Sequence, residues 1–363
     1  MSFNNMFEHF KDVPIPGVEI GPWPNNLAVA YLDTRNLVYF GIMCGYKVHI
    51  GSWDTKTELD LTWSSIETKD PANEKRVLPT CVGLVHPNAR SFPLVVVGTP
   101  LAVHIYDVRN TGKILMQVNL ENALKLKLSL DINRDIGPYC RGVACNDNAI
   151  LVGTHSGDIL VIMCNGESNF STKKNLREHV DPIADIATCR IDEITVSSAN
   201  TGEIVVWQKP VKGVQSRIIS KQHITCLNVL RKQVIIGTVR GLVQLYAIAT
   251  GNLMAEVRAH ARPVTGISVA PESAYLMTCA EDSRFNVYKL HTRKPSAYQV
   301  EFRYSDGQEH NSYVGARFTN GRGSAIALAS CDRTHLIFYR IAKKKEPVVV
   351  ADTPGAPPQI SNP

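Results

Sequence analysis

The chain has 363 residues, 44% of them apolar and 20% charged, which excludes a wholly disordered chain and leaves ample material for a core. Lysine and arginine number 39 against 33 acidic residues, a net charge of +6, far from the dense basic surface of a dedicated nucleic-acid binder. At about 150 residues per domain the length suggests two domains, but repeat-built folds break that rule.

Met1 to Val13 carries acids and a lysine where a secretory leader needs an apolar run, so no leader is expected. From residue 25 onward, apolar runs of about four to seven residues, rich in Val, Ile and Leu, are broken by Gly, Asn, Asp, Thr and Ser, which predicts many short strands joined by turns. No window approaches the roughly 18 consecutive apolar residues of a membrane helix, so no integral membrane segment is expected.

One phrase recurs: an apolar strand, a turn of small residues, and a second apolar strand that often ends in an aromatic. A distant copy runs from Val38-Tyr39-Phe40-Gly41 to Val48-His49-Ile50, and a weak one from Val97-Gly98-Thr99-Pro100 to Tyr106. Clear copies follow: Leu151 to Gly157 into Ile159-Leu160-Val161-Ile162, Val196 to Gly202 into Ile204 to Trp207, and Ile236 to Gly241 into Leu242 to Tyr246. Met277 to Ser283 leads into Phe285 to Tyr288, and Ser330-Cys331-Asp332-Arg333 leads to Phe338. The turn glycine supplies positive φ without steric cost, so Ser283 and Arg333 at that place predict looser or strained turns. A second turn after the aromatic, as at Asn110-Thr111-Gly112 and Thr250-Gly251-Asn252, reads as a hairpin into a fourth strand. Ala123 to Leu128 alternates as a strand would, inside one of two longer stretches, Glu67 to Lys75 and Glu121 to Gly137.

Strand, turn and aromatic together resemble WD40 repeats, four strands to each blade of a β-propeller. The best copy runs from Ala259-His260-Ala261-Arg262 through Asp282 to Tyr288. The resemblance implies an all-β fold, a single WD40-type propeller of seven four-stranded blades over residues 25–343. Residues 1–24 are expected to donate a closing strand, for which Val18 to Gly21 is the candidate and Val348 to Val350 the C-terminal alternative; 344–363 reads as a flexible proline-rich tail. Stretches outside the general repeat pattern resemble the WD repeat-containing protein 54 family: Asn25 to Val29, Arg35 to Gly41, Pro182 to Thr188, Thr250 to Leu253 and Gly315 to Phe318. That resemblance covers about residues 25–340, implies a scaffold-like role and carries over no catalytic residue.

In the WD40 pattern a histidine and an aspartate join a buried hydrogen-bond network with a Ser or Thr and the aromatic. Carried onto this chain, the members are His260, Asp282, Thr278 and Tyr288. His179, Ser197 and Trp207 form an incomplete set, with Thr201 where the aspartate would stand. The rim candidates for protein binding are His155, Asn200, Arg240 and Glu281 in the middle turns, with Asp181 and Arg262 just after the inter-blade histidines; Arg240 and Arg262 rank first because arginine is enriched at interface hot spots.

No phosphate-binding loop, nucleophile elbow, HExxH or CxxC motif occurs, so no catalytic residue, cofactor, metal or small-molecule substrate is expected. The nine cysteines lie mostly inside apolar runs and read as buried free thiols, which points to a reducing compartment, the cytoplasm with the nucleus as an alternative; the cilium is added by the family resemblance alone. The functional expectation is a non-enzymatic protein–protein interaction scaffold whose partners are other proteins, with self-association open. The alternative is anionic lipid or nucleic-acid binding through basic rim loops, with Lys343-Lys344-Lys345 as a further basic site; three lysines fall below the roughly four to eight of a membrane-binding cluster.

Overall fold

The computed structural model describes residues 6–17, 19–57, 61–70, 72–124, 138–209, 211–291 and 299–342. Its strands form seven four-stranded antiparallel sheets arranged as the blades of a β-propeller. The inner strands, in blade order, are Ala28–Leu32, Cys81–Val85, Cys140–Asn146, Ile183–Cys189, Ile224–Leu230, Val264–Ala270 and Tyr313–Phe318.

Burial follows position in the blade. The second strand of blade 2, Leu94–Gly98, is buried at every residue. Neighbouring blades cover both faces of such a strand, so the sequence shows a continuous apolar run rather than alternation. The outermost strand of blade 5, Leu253–Arg258, has no buried residue at all. Apolar side chains gather at the seams between blades, and one cluster occupies each seam. Blades 2 and 3 share one built around Leu94, Val96, Ile150 and Val152; blades 4 and 5 share another around Val196, Ile204, Val234 and Ile236. The remaining five clusters join the other adjacent pairs in the same way.

The ring closes in blade 7. Its fourth strand is β1 (Phe7–Pro14), hydrogen-bonded antiparallel to His335–Ile341. The strand therefore lies upstream of Val18 to Gly21, and Val348 to Val350 falls outside the described residues. Phe7 and Val13 are buried on opposite faces of β1, because a bulge between His9 and Lys11 shifts the register: Phe7 packs into the seam with blade 6 and Val13 into the seam with blade 1. Val13, with Ile15, Ile20 and Leu27 from the segment beyond the strand, fills the seam between blades 7 and 1.

Two local readings need correction. Ala123 and Leu124 belong to α1 (Leu120–Leu124), not to a strand. The side chain of Asn119 accepts the Glu121 N–H at 3.0 Å, which caps the first turn and sets the helix against the alternating pattern. The turn with Arg333 takes its positive φ at Asp332, 58°, whereas Ser283 itself adopts 64°. Residues 125–128, Lys343 to Lys345 and the proline-rich tail lie outside the described residues.

Removing residues 1–14 takes β1 from blade 7 and exposes an unpaired edge. Losing the burial of Phe7 and Val13 alone costs about 3–6 kcal/mol. The melting temperature, followed by circular dichroism, should fall on the order of 10 °C; an unchanged melt would show that blade 7 is closed by another segment.

Candidate functional site

On one face of the ring, the middle turns of blades 4 and 5 are stitched to the loops that enter and leave each blade. In blade 5 the Val239 N–H donates to the His223 carbonyl at 3.1 Å, and the His260 N–H donates to the Gly241 carbonyl at 3.1 Å. Gly241 has φ 76°, and a Cβ there would lie 2.1 Å from the His260 carbonyl oxygen. At Gly202, φ 115°, a Cβ would lie 2.3 Å from the Ser220 carbonyl oxygen. These turns need glycine both for left-handed backbone and for contact with the adjoining loop.

Beneath the turns lie the two histidine networks. In blade 6 His260 is buried; its Nε2 meets Thr278 Oγ1 at 2.9 Å and its Nδ1 meets Asp282 Oδ1 at 3.1 Å. Asp282 also accepts the Ala261 N–H at 2.9 Å. Burial raises the Asp282 carboxyl, but the hydrogen bonds from His260 and the Ala261 N–H outweigh it and hold the group below its ordinary range. Tyr288 meets this set only through Asn286, because Thr278 pairs across the sheet with Asn286. The Asn286 amide lies 3.4 Å from His260 Nε2 and donates to the Ala259 carbonyl at 2.8 Å.

In blade 4, Trp207 Nε1–H donates to Ser197 Oγ at 2.9 Å, and Ser197 Oγ lies 2.7 Å from His179 Nε2. Thr201 does not leave this set incomplete. Glu203 takes the aspartate's part, 2.9 Å from His179 Nδ1, and is itself paired with Arg217. Thr201 instead donates to Asp181 Oδ2 at 2.8 Å. Burial lowers the His179 pKa, and because the Glu203 carboxylate accepts, the ring donates to it from Nδ1.

The inner strands surround a cavity of about 390 Å³ lined by Asn25, Arg141, Asp185, Asn228 and Arg317, among others. Asn25, at φ 59°, donates from Nδ2 to Asp185 Oδ2 across the ring at 2.7 Å. Its Oδ1 lies 3.4 Å from Arg317 Nη2, and Arg317 Nη1 donates to the Ile267 carbonyl at 2.8 Å. A bulge between Ile183 and Asp185 sets the direction of the Asp185 side chain. Asp185 also accepts the Leu227 N–H at 3.0 Å. Burial pushes the Asp185 pKa up and that of Arg317 down; the hydrogen bonds and the opposite charge oppose both shifts without cancelling them. Asn25 thus bridges the buried Asp185 carboxyl and the half-buried Arg317 guanidinium.

The rim candidates divide by exposure. Arg240, Arg262 and Glu281 are exposed. His155, Asn200 and Asp181 are half-buried, and the backbones of the first two are held by Tyr139 and Pro182. Asn25, Asp185, Arg317, Glu203 and Asn286 were not among the candidate residues. The first three do lie in the stretches Asn25 to Val29, Pro182 to Thr188 and Gly315 to Phe318 that carry the family resemblance, which was the available signal. The nine cysteines are free thiols, and seven of them are buried.

Blades, turns and histidine networks define a WD40 propeller, a kind of fold that serves in protein-interaction scaffolds. A crystal structure titled "Crystal Structure of Mitotic Checkpoint Complex" contains a chain similar to this one with a TM-score of 0.68 and 15% identity, covering 94% of this chain and 98% of that one, a likeness of fold. A family model for WDR54 matches residues 6–340, and the chain belongs to that family. It is 28% identical over 340 residues to WD repeat-containing protein 54 of Homo sapiens, covering 90% of this chain and 97% of that protein. The rat WD repeat domain 54 is 27% identical over 92% of this chain and 99% of its own length. WD repeat-containing protein dyf-2 of Caenorhabditis elegans matches 48% of this chain at 27% identity, over 13% of its own length.

Two outcomes follow from the networks. Asp282→Ala and Glu203→Ala each leave a buried histidine N–H without its acceptor, and chemical denaturation should show each variant destabilised by about 1–3 kcal/mol; a loss of a few tenths would deny the networks their part. The second concerns acid. His49, His104 and His179 all have pKa values lowered from 6.5, in each case chiefly by burial. Each therefore takes up a proton more readily unfolded than folded, so their stabilisation is complete above pH 6.5 and is lost as pH falls through their lowered folded values. Melting temperature should decline below that pH, and His49→Gln should flatten the decline.

Proposed function

We propose that the chain is a non-enzymatic interaction platform that presents the face of the middle turns to a protein partner. The observation that carries this reading is the contrast between backbone and side chains at those turns. The backbone of 238–242 is pinned to both adjoining loops by hydrogen bonds, while Arg240 and, across the same junction, Arg262 extend into solvent. A rigid scaffold that holds exposed, information-rich side chains in fixed positions loses little conformational entropy on binding. The WD repeat relatives and the family support the same reading.

The test is proximity labelling in the native cell with the wild-type chain and with Arg240→Glu combined with Arg262→Glu. The exchanged residues are exposed, so the melting temperature should stay unchanged while a subset of labelled neighbours disappears. An identical neighbour set for both chains would overturn the choice of face.

A further inference from the structure

Blade 5 departs from blades 4 and 6 in a way that changes its surface. Arg240 precedes Tyr246 by the same interval that separates Asp282 from Tyr288 and Thr201 from Trp207. Ser220 precedes the inner strand of blade 5 by the interval at which His179 and His260 precede theirs. Where the blade 6 network has a histidine and an aspartate, blade 5 therefore has a serine and an arginine. Its buried members are uncharged: Ser220 Oγ and the Tyr246 hydroxyl both donate to Gln244 Oε1, at 2.9 and 2.8 Å, and the Gln244 amide leads out to the Glu256 carboxylate. Arg240 has no place in that network and stands exposed.

Three segments meet there. Val239 is hydrogen-bonded to the loop that contains Lys221, Leu242 pairs with Arg258, and a Gly241 Cβ would lie 2.9 Å from the Arg262 carbonyl oxygen. Among the described residues Lys221, Arg240, Arg258 and Arg262 are all exposed and none makes an ion pair, whereas Arg217 in blade 4 and Arg303 in blade 6 are both paired. Glu256, the carboxylate on the outer strand beside Arg258, is held by Gln244 Nε2 at 2.7 Å. Two aliphatic side chains are also bare: Val239, next to Arg240, at 49% exposure, and Ile219, which ends the outer strand of blade 4 two residues before Lys221, at 67%.

We propose that this rim of blade 5 binds an acidic peptide segment in which carboxylates alternate with aliphatic residues. Deepening the platform reading on which it rests, the proposal names the partner's chemistry. Exposed cations that make no ion pair favour a ligand rich in Asp and Glu, and the nearby Val239 and Ile219 favour one that also brings apolar side chains. A nucleic acid would use stacking surfaces, and the exposed large apolar residues of this rim are aliphatic, not aromatic.

The experiment is fluorescence anisotropy of the purified full chain with a labelled peptide of alternating glutamate and leucine. Its comparison probes are the peptide with glutamine in place of glutamate and a single-stranded oligouridylate of matched charge. The acidic peptide should bind, and affinity should fall at least about tenfold for the glutamine peptide and for Arg240→Glu with Arg258→Glu. It should be unchanged for Lys113→Glu, an exposed cation on the outer strand of blade 2. If the charge-reversed variant melts early, Arg240→Gln with Arg258→Gln replaces it, with the same loss expected. Failure of the acidic peptide to bind, equal binding of the glutamine peptide, or tighter binding of oligouridylate lost in the same variants would each overturn the proposal. The platform reading fails separately: it falls if the cellular neighbour set ignores Arg240 and Arg262, and it stands if that set responds while the acidic peptide does not bind.

Discussion

Closure of the ring is the constraint on which the other interactions depend. No blade owns a core; the buried apolar side chains lie at the seams, each cluster drawn from two blades. A seam exists only when both neighbours are present, so an open ring lacks one cluster and leaves two sheet faces bare. The seam between blades 7 and 1 joins the two ends of the repeat array, and the segment that leads from β1 to blade 1 supplies much of it through Val13, Ile15, Ile20 and Leu27. That segment then reaches into the channel, where Asn25 bonds to Asp185 in blade 4, on the other side of the ring. Packing at the seams fixes the circumference and this bond ties across the diameter, so the ends of the array and its middle are held in one cooperative unit.

The same arrangement explains which parts of the fold the sequence reveals. Second and third strands are covered on both faces, so their apolar runs stand out, as at Leu94–Gly98 and Ile204 to Trp207. Outer strands face solvent, and a stretch such as Leu253–Arg258 lacks any buried residue to betray its register. β1 is harder still to read: only Phe7 and Val13 of its eight residues are buried, so its pairing with blade 7 is decided by long-range geometry rather than by local pattern. At α1 a single capping side chain, Asn119, overrides an alternating pattern that reads as strand.

The candidate site divides along the same line. His260, Thr278 and Asp282 are legible because the turn fixes their spacing. Tyr288 shares the repeat's spacing, yet antiparallel pairing places Asn286 opposite Thr278 and puts the amide between them. Glu203 escapes detection because its carboxylate comes from the start of a strand and replaces a missing turn aspartate without altering the repeat. Asn25, Asp185 and Arg317 come from remote parts of the chain and have no mutual spacing; only the ring brings them within hydrogen-bonding distance.

The histidine networks and the surface charge are two outcomes of one position. A turn aspartate is drawn down onto a buried histidine and gives rigidity, as Asp282 does through His260 and the Ala261 N–H. Once serine replaces the histidine, the position has no buried partner and is free to carry a cation. The fold tolerates the exchange because the turn of blade 5 does not rely on that side chain: Gly241 supplies the left-handed backbone, Thr238 Oγ1 accepts the Leu242 N–H at 3.0 Å, and both adjoining loops hold the main chain. Rigidity at blade 5 is thus maintained by backbone and amide hydrogen bonds, which are insensitive to charge at Arg240. The same four-stranded repeat can therefore vary its surface chemistry blade by blade while its seams stay alike, and blade 5 is where this chain has done so.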